Sequence, residues 1–401
     1  MNVLVIGGGG REHALCWKLS QSNYEPTLYC APGNAGTASL AKNIELDLGN
    51  FEAVAGFCRR QNVNLVVIGP EAPIVGGLAD YLRKSFPPKS FTVIGPNKAA
   101  AALEGSKRYA KEFMQEAGIP TARHKSFRQG QEQQAINFLE KLDPPYVLKA
   151  DGLAGGKGVV ILEDLQSARD EVSAMLEGKF GEASSTLVLE EFLEGREFSV
   201  FVLTDGSSYR LLPAAVDYKR REEGDQGPNT GGMGAVSPVP FFTDALARKI
   251  EERIIQPTLQ LLRQRELPYC GFLFLGLMET KGNPYVIEYN VRLGDPETQV
   301  ILPRLEEDLL EALLKAGNST LSSQAFKVSP FHTSSVVTVV QNYPASYPQG
   351  LKITGLEELK NGESQVFHSG TRLEGQEVRT AGGRVLAFTG MGDRLEEATE
   401  G

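Results

Sequence analysis

The sequence predicts an α/β and α+β protein with several domains. Short apolar strands, each closed by a glycine or proline turn, alternate with helical stretches over roughly the first hundred residues, as in a doubly wound sheet. The middle of the chain instead places strand directly after strand, and its last part is rich in β-branched runs separated by turns. At 401 residues the chain fits two to four domains. We predict boundaries that give domains 1–104, 105–327 and 328–401.

Composition excludes several classes of protein. A net charge of -9 argues against a nucleic-acid-binding protein, which usually has a basic domain. The four cysteines are scattered without the C-x-x-C spacing of a zinc site, so a reducing cytoplasm is expected. The chain opens directly into a strand, without the pattern of a signal peptide. No apolar run approaches the ~18 residues that span a membrane, so no membrane association is expected.

The opening strand Asn2–Ile6 leads through four glycines into a helix. Such a turn lets the backbone approach a phosphate, and the helix N-terminus would face it. Glu12 stands where the dinucleotide fingerprint G-x-G-x-x-G needs a glycine, so a nicotinamide cofactor has little support. Further strands are predicted at Thr27–Ala31, Asn64–Ile68 and Phe91–Ile94.

In a doubly wound sheet, the loops after the carboxyl ends of the strands form the ligand crevice. Three such loops carry polar side chains, so the candidate contacts are Arg11, Glu12, Asn34 and Glu71. The alternative is that the glycines and prolines of these loops only make tight turns.

The middle of the chain carries three lysines in positions that suit phosphate binding. Lys107 lies in the first turn of a predicted helix, Ser106–Ala117, where a cation is unfavourable unless an anion is near. Lys149 ends one strand, and Lys157 lies in the glycine-rich loop that follows it. That loop is not a P-loop, because Gly158 stands where Ser or Thr is required. It suits a flap that closes over phosphates, although an ordinary hairpin or a solvated lysine remains the alternative.

Two later segments are candidates for binding a ligand such as a nucleotide. After a strand that ends at Glu190, the apolar pair Phe192-Leu193 could hold an adenine through backbone hydrogen bonds, and Glu197 could bind ribose hydroxyls. A long polar segment after Asp217 is expected to be a loop. It contains Asn229 and consecutive glycines, which permit close approach to a ligand.

The segment from 286 to 298 reads as a buried strand followed by a charged turn. Glu288 and Asn290 are two residues apart, so on a strand they face the same way and could seat Mg2+. Arg292 and Asp295 follow around a Gly-Asp-Pro turn. The alternative is a strand end with a charged turn and no ligand.

Motifs along nearly the whole chain resemble the glycinamide ribonucleotide synthetase family, ATP-grasp ligases that are also called phosphoribosylamine–glycine ligases. These motifs are Gly7–Leu15, Ala31–Thr37, Gly69–Pro73, Leu103–Lys107, Lys149–Gly158, Pro228–Gly234 and Glu288–Thr298. Departures are mild: Leu293, Tyr218 and Gly155 replace phenylalanine, histidine and alanine. The helix that starts at Asp393 is expected to be cut short at Gly401.

The resemblance implies a pre-ATP-grasp, Rossmann-like substrate domain, an ATP-grasp domain with a small mobile lid at about 121–193, and a C-terminal β-rich domain. It implies ATP as cosubstrate, with Mg2+, or alternatively Mn2+, held by Glu288 and Asn290. The implied nucleotide contacts are Lys107, Lys149, Lys157, Gly158, Glu190, Glu191, Phe192, Leu193, Glu197, Lys219 and Asn229.

The resemblance also implies glycine and 5-phosphoribosylamine as substrates, joined through a glycyl phosphate in a monomeric enzyme. The implied substrate contacts are Gly9, Gly10, Arg11, Glu12, Asn34, Gly36, Glu71, Arg292 and Asp295, and the last two are also the expected catalytic residues. Competing classes are another ATP-grasp carboxylate–amine ligase, a nicotinamide dehydrogenase and a non-catalytic nucleotide sensor. The sensor would be expected to lack the metal pair.

Overall fold

The computed structural model describes residues 1–88, 90–153, 158–179, 186–224, 226–322, 325–358 and 364–400. Within these ranges the chain forms five β-sheets with helices packed against them, which confirms the predicted mixture of α/β and α+β structure. No helix in the described part of the chain has the length and apolar character needed to cross a membrane.

The N-terminal part is a doubly wound unit. Its elements are β1 (Asn2–Gly7), α1 (Gly10–Leu19), β2 (Thr27–Pro32), β3 (Lys42–Asn43), α2 (Phe51–Arg60), β4 (Leu65–Ile68), α3 (Glu71–Gly76), α4 (Leu78–Ser85), β5 (Thr92–Ile94) and α5 (Lys98–Gly105). The strands are parallel and lie in the order β3-β2-β1-β4-β5. Residues Val3 to Ile6 of the central strand are fully buried, which explains their continuous apolar run.

A smaller antiparallel sheet follows. Its elements are α6 (Lys107–Glu116), β6 (His124–Arg128), α7 (Glu132–Leu139), β7 (Tyr146–Ala150), β8 (Val159–Leu162), α8 (Leu165–Leu176) and β9 (Thr186–Glu191). The strand order is β6-β9-β7-β8. Leu148, Leu187 and Leu189 pack on α7 and α8 from one face, so Lys149 and Glu190 lie on the other. Residues 154–157 of the predicted flap, including Lys157, lie outside the described residues.

The third unit is built on β10 (Arg196–Thr204), β11 (Tyr209–Leu211), β12 (Val216–Glu222), β13 (Gln226–Ser237), α9 (Asp244–Ile250), α10 (Gln256–Gln264), β14 (Gly271–Thr280), β15 (Asn283–Asn290), α11 (Thr298–Ile301) and α12 (Leu309–Gly317). A π-helical turn, Glu251–Ile255, joins α9 to α10. The sheet order is β11-β10-β14-β15. Its strands are antiparallel, and β15, the strand predicted to seat the metal, lies at the edge.

The C-terminal elements are β16 (His332–Val339), β17 (Lys352–Ile353), β18 (Ser364–His368), β19 (Thr371–Glu374), β20 (Glu377–Thr380), β21 (Arg384–Gly392) and α13 (Leu395–Glu400). A small sheet has the order β17-β20-β19, and a larger one the order β12-β13-β16-β21-β18. The larger sheet therefore crosses the boundary that we predicted near residue 328.

The polar segment after Asp217 was expected to be a loop, and this expectation was wrong. It forms the β12–β13 hairpin because its backbone pairs with β16 of the C-terminal part. Gly234 makes this pairing possible, since a Cβ there would lie 2.6 Å from the carbonyl oxygen of Ser335. The composition is polar because much of the hairpin is solvent-exposed.

Candidate active site

Charged residues of two sheets and of α6 act on one another, and the region between them is called the cleft below. The antiparallel sheet contributes Lys149, α6 contributes Lys107 from its first turn, and β15 contributes Glu288. Burial lowers the pKa of Lys107, with a contribution from Lys149, while Glu288 and Asp151 oppose the shift. Because these charges act on one another, the cleft brings together lysines and carboxylates that are far apart in sequence.

A β-bulge determines which way β15 presents its side chains. Leu277 pairs with Val286 but Gly276 pairs with Glu288, so Ile287 is an extra residue in β15. Val286 and Tyr289 are both buried in the core although they are three residues apart. The extra residue therefore changes the alternation and aims Glu288 into the cleft, as bulges near active sites often do.

Glu288 and Asn290 are neighbours, with the amide nitrogen of Asn290 3.3 Å from a carboxylate oxygen of Glu288. Burial acts to raise the pKa of Glu288, but Lys219 and other lysines outweigh it and the pKa is lowered. Nearby, burial and the charge of Asp217 raise the pKa of Glu297 to about 8. A carboxylate beside a side-chain amide oxygen suits a divalent cation. In this structure the amide oxygen of Asn290 accepts a hydrogen bond from Nη2 of Arg292 at 3.1 Å, so a bound ion would have to displace this contact.

Arg292 is held by a carboxylate that sequence reasoning missed. Its Nη2 and Nε atoms lie 2.9 Å and 3.1 Å from Oε1 of Glu104, and a second carboxylate, Glu71, is 3.8 Å away. Glu104 also accepts the backbone N–H of Val291 at 2.8 Å. Although burial opposes it, Glu104 and Glu71 raise the pKa of Arg292. Glu104 belongs to the L-E-G-S-K motif, which was the available signal.

Asp295 connects three parts of the molecule. It accepts the backbone N–H of Arg11 at 3.2 Å and the side-chain amide of Gln299 at 2.9 Å. Arg384, from β21, lies 3.5 Å from the carboxylate and donates to the Asp295 carbonyl oxygen at 2.7 Å. Burial acts to raise the pKa of Asp295, but Arg384 and Arg11 outweigh it and the pKa is lowered. No local pattern indicated Arg384 as part of this site.

The glycine turn before α1 is already occupied by protein carboxylates. The backbone N–H of Gly9 donates to Glu12 at 2.7 Å, and Asp295 accepts that of Arg11. The Arg11 side chain pairs with Glu12 at 2.6 Å and donates to the Leu293 carbonyl oxygen. A Cβ on Gly10 would lie 2.3 Å from the amide nitrogen of Gln299. These groups pack against one another, so the backbone N–H groups that were expected to bind a phosphate already donate to carboxylates of the protein.

Asn34 is likewise used within the protein. Its amide nitrogen donates to the carbonyl oxygens of Gly8, Gly9 and His368, and its amide oxygen accepts the N–H groups of Gly36 and Thr37. Asn34 therefore joins two loops of the N-terminal unit to the C-terminal sheet. A Cβ on Gly36 would lie 2.2 Å from the ring of His13, which explains why glycine stands there.

The expected adenine and ribose contacts differ in their burial and in their partners. Glu190 is buried with Lys149, whereas Phe192 is 41% exposed. The Glu191 carboxylate accepts the Arg123 backbone N–H at 2.7 Å. Lys219 is paired with Glu197.

Two further predicted nucleotide contacts, Gly158 and Asn229, lie on hairpins. The carbonyl oxygen of Gly158 accepts the N–H of Ala150 at 2.8 Å, which closes the base of the lysine-bearing loop. Asn229 pairs with Arg220 across the β12–β13 hairpin. Lys111, which no sequence pattern indicated, joins Lys149 and Glu190.

A cleft between an antiparallel lid-like sheet with lysines and a second sheet with a carboxylate–amide pair defines an ATP-grasp ligase. In agreement, residues 105–298 match the family model described as "Phosphoribosylglycinamide synthetase, ATP-grasp (A) domain". Residues 1–104 and 333–401 match the N and C domains of the same family. The chain belongs to the phosphoribosylglycinamide synthetase family.

Relatives support this assignment. The chain is 42% identical to a phosphoribosylamine–glycine ligase of Allochromatium vinosum, over 99% of this chain and 92% of the relative. It is 45% identical to the trifunctional purine biosynthetic protein adenosine-3 of Gallus gallus, of which it spans 40%. The crystal structure of the Thermotoga maritima phosphoribosylamine–glycine ligase superposes with a TM-score of 0.86 at 35% identity, covering 100% of this chain and 95% of that one.

Proposed function

We propose that this chain catalyses the ATP-dependent ligation of glycine to 5-phosphoribosylamine, giving glycinamide ribonucleotide, ADP and phosphate, a step of purine biosynthesis. The observation that carries the proposal is the convergence of Lys107, Lys149, Glu288 and Arg292 in one cleft. It is supported by relatives named phosphoribosylamine–glycine ligase that align over nearly their whole length.

Phosphoryl transfer depends on positioning and on neutralising charge rather than on a nucleophilic side chain. Lys107, Lys149, Lys157 and Lys219 would neutralise the phosphates of ATP. Glu288 and Asn290 would hold Mg2+, or Mn2+ in its place, and the ion would supply further charge neutralisation when bound.

The remaining predicted nucleotide contacts surround the adenosine and the phosphate tail. Gly158 and Asn229, which lie on hairpins, would border the phosphate tail. Glu190 to Leu193 would border the adenine, and Glu197 the ribose.

Glycine would lie beside Arg292 and Asp295, whose opposite charges match the two ends of a zwitterion. Its carboxylate oxygen would attack the γ-phosphorus of ATP and release ADP. The amine of 5-phosphoribosylamine would then attack the carbonyl carbon of the resulting glycyl phosphate, displacing phosphate and losing a proton. A closed cleft would protect this intermediate from water.

The phosphoribosylamine would approach from the N-terminal unit. Glu71, whose side chain is 38% exposed, is its most accessible carboxylate near Arg292. The more deeply placed residues of the predicted set support that surface through internal hydrogen bonds and close packing; these are Gly9, Gly10, Arg11, Glu12, Asn34 and Gly36. We also propose a cytoplasmic location, which fits the four free cysteine thiols, and a monomeric enzyme, as the sequence resemblance implies.

The test is ADP release in the presence of Mg2+, glycine and phosphoribosylamine made in situ, with each component omitted in turn. We expect full dependence on both glycine and the amine. ADP release that ignores glycine would assign another carboxylate substrate to the same cleft. A Glu288→Gln variant serves as a control for ADP release by a contaminating ATPase.

A further inference from the structure

Part of β13 departs from the regular pairing of the β12–β13 hairpin. The pairing register shifts across Lys219, so this single residue of β12 lies opposite residues 230–233 of β13. We call residues 230–233 the glycine bulge. Extra residues of this kind leave backbone N–H and C=O groups without partners on the neighbouring strand. These groups then bond to water or to other parts of the protein, so their protein partners show what holds the glycine bulge in place.

Side chains of the C-terminal unit supply these partners. The hydroxyl of Tyr343 accepts the N–H of Gly231 at 3.2 Å, and Arg384 donates to the Gly231 carbonyl oxygen at 2.6 Å. The two side chains come from adjoining positions, because a Cβ on Gly383, the residue before Arg384, would overlap the ring of Tyr343. Together they hold both backbone groups of one glycine of the bulge.

The glycine bulge lies against the turn that carries Asp295. A Cβ on Gly232 would overlap Cδ of Pro296, so the glycine bulge and this turn are in direct contact. Arg384 bonds to both sides of the contact, because the nitrogen that donates to Gly231 also donates to the Asp295 carbonyl oxygen at 2.7 Å. Since glycine is proposed to bind beside Asp295, a displaced glycine bulge would alter one wall of that site.

The glycine bulge also touches β12, but the lysine proposed to contact phosphates there has supports of its own. The Thr230 hydroxyl donates to the Lys219 carbonyl oxygen at 2.8 Å. The Lys219 ammonium is paired with Glu197 and lies 3.9 Å from Asp217. Loosening the glycine bulge would leave this ammonium held by two carboxylates. We therefore expect the ATP end of the cleft to be less affected than the glycine end.

We infer that Tyr343 is a positioning residue for the ligation, because its hydroxyl holds the glycine bulge against the Asp295 turn. This inference rests on the proposed function and adds a side chain of the C-terminal unit to it. Tyr343 has no assigned contact with a substrate and acts through the backbone of Gly231. A slight displacement of the groups that orient a substrate slows a reaction even when none of its contacts is removed outright.

The kinetics of ADP release give the first test, with Tyr343→Phe as the variant, since it removes one oxygen and keeps the ring on Gly383. Loss of this neutral hydrogen bond should lower kcat/KM for glycine and for the amine roughly 2- to 10-fold, with the KM for ATP nearly unchanged. Tyr347→Phe removes a hydroxyl from the neighbouring ring, whose centroid is 6.2 Å away, and is the matched control that should behave as the unaltered protein. An equal loss for ATP and for glycine in Tyr343→Phe would indicate a structural role only and overturn the inference.

Hydrogen exchange, measured by mass spectrometry on the protein without substrates, gives the second test. Tyr343→Phe should speed exchange in peptides that contain the glycine bulge and leave those of α12 unchanged, because only a local contact is lost. Faster exchange throughout the chain would overturn the positioning role. If the unaltered protein is active and Tyr343→Phe matches it, this inference alone fails. If the unaltered protein releases no ADP with glycine and the amine, the proposed function fails and the inference fails with it.

Discussion

Replacing Arg292 by Met should destabilise the protein as well as stop the reaction. Glu104 would remain buried, with its side chain only 6% exposed, and would lose two guanidinium contacts of 2.9 Å and 3.1 Å. Its only other contact among the described hydrogen bonds is the Val291 N–H. Removing one partner of a buried ion pair typically costs about 3–5 kcal/mol because an uncompensated charge is left behind.

Adding Glu104→Gln to Arg292→Met separates stability from catalysis. The amide oxygen of the introduced glutamine can still accept the Val291 N–H, but no buried charge remains, so most of the lost stability should return. Turnover should stay low in the double variant because the guanidinium beside the reacting groups is absent. Urea unfolding measures the first effect, and ADP release at saturating substrate measures the second, with ATP affinity expected to change little.

Two results would refute this reasoning. If Arg292→Met changes the free energy of unfolding by less than about 1 kcal/mol, the pair behaves as an exposed salt bridge and the burial argument fails. If the double variant recovers turnover along with stability, Arg292 serves the fold and has no part in the reaction.

Three further predictions concern the cleft and its supports. Gly276→Ala should weaken Mg2+ affinity several-fold with little loss of stability, since the new Cβ would lie 3.1 Å from Cγ of Glu288. A titration with Mn2+ as a paramagnetic probe measures this affinity, and an unchanged affinity would contradict the prediction. Acid should loosen the contact between His13 and His368, because burial lowers their pKa values to about 3 and about 4. Stability should therefore be full above the unfolded pKa of about 6.5 and fall as the pH drops towards about 4, with His13 alone costing about 2 kcal/mol at about pH 5; a His13→Asn variant should show a flatter pH profile of urea midpoints. Arg384→Ala should raise the KM for glycine or the amine far more than that for ATP, and equal changes would argue against its place beside the acceptor substrates.

Much of the fold was predictable because local signals agreed with the tertiary structure. The strands predicted at Asn2–Ile6 and Thr27–Ala31 lie within one residue of the observed bounds, since short apolar runs closed by glycine or proline turns favour buried strands. The helix after Ser106 begins where expected because that hydroxyl accepts the Tyr109 N–H. The β12–β13 hairpin was missed because its pairing partner, β16, lies about a hundred residues later in the sequence.

The candidate site was predictable only where residue type and spacing suffice. Glu288 and Asn290 are neighbours, as the alternation of side chains along a strand suggests. The bulge at Ile287, which turns both side chains away from the buried face of β15, is visible only in the pairing register of the sheet. Lys111 and Arg384 lie outside any motif that indicates phosphates or carboxylates. They became evident only when the fold brought Glu190 to one and Asp295 to the other.

Which predicted residues can still bind a ligand depends on what the fold has already satisfied. Asn34 was expected to contact substrate, yet the nitrogen and the oxygen of its amide both bond to backbone groups. Its replacement would therefore remove the hydrogen bonds that join the N-terminal loops to the C-terminal sheet. Glu190 was expected to form part of an adenine hinge, and one of its oxygens has no partner although it is buried. The same type of prediction therefore yields a structural brace in one case and a candidate recognition group in the other. A polar atom that the protein buries but leaves unsatisfied is the better guide to where a substrate must complete the structure.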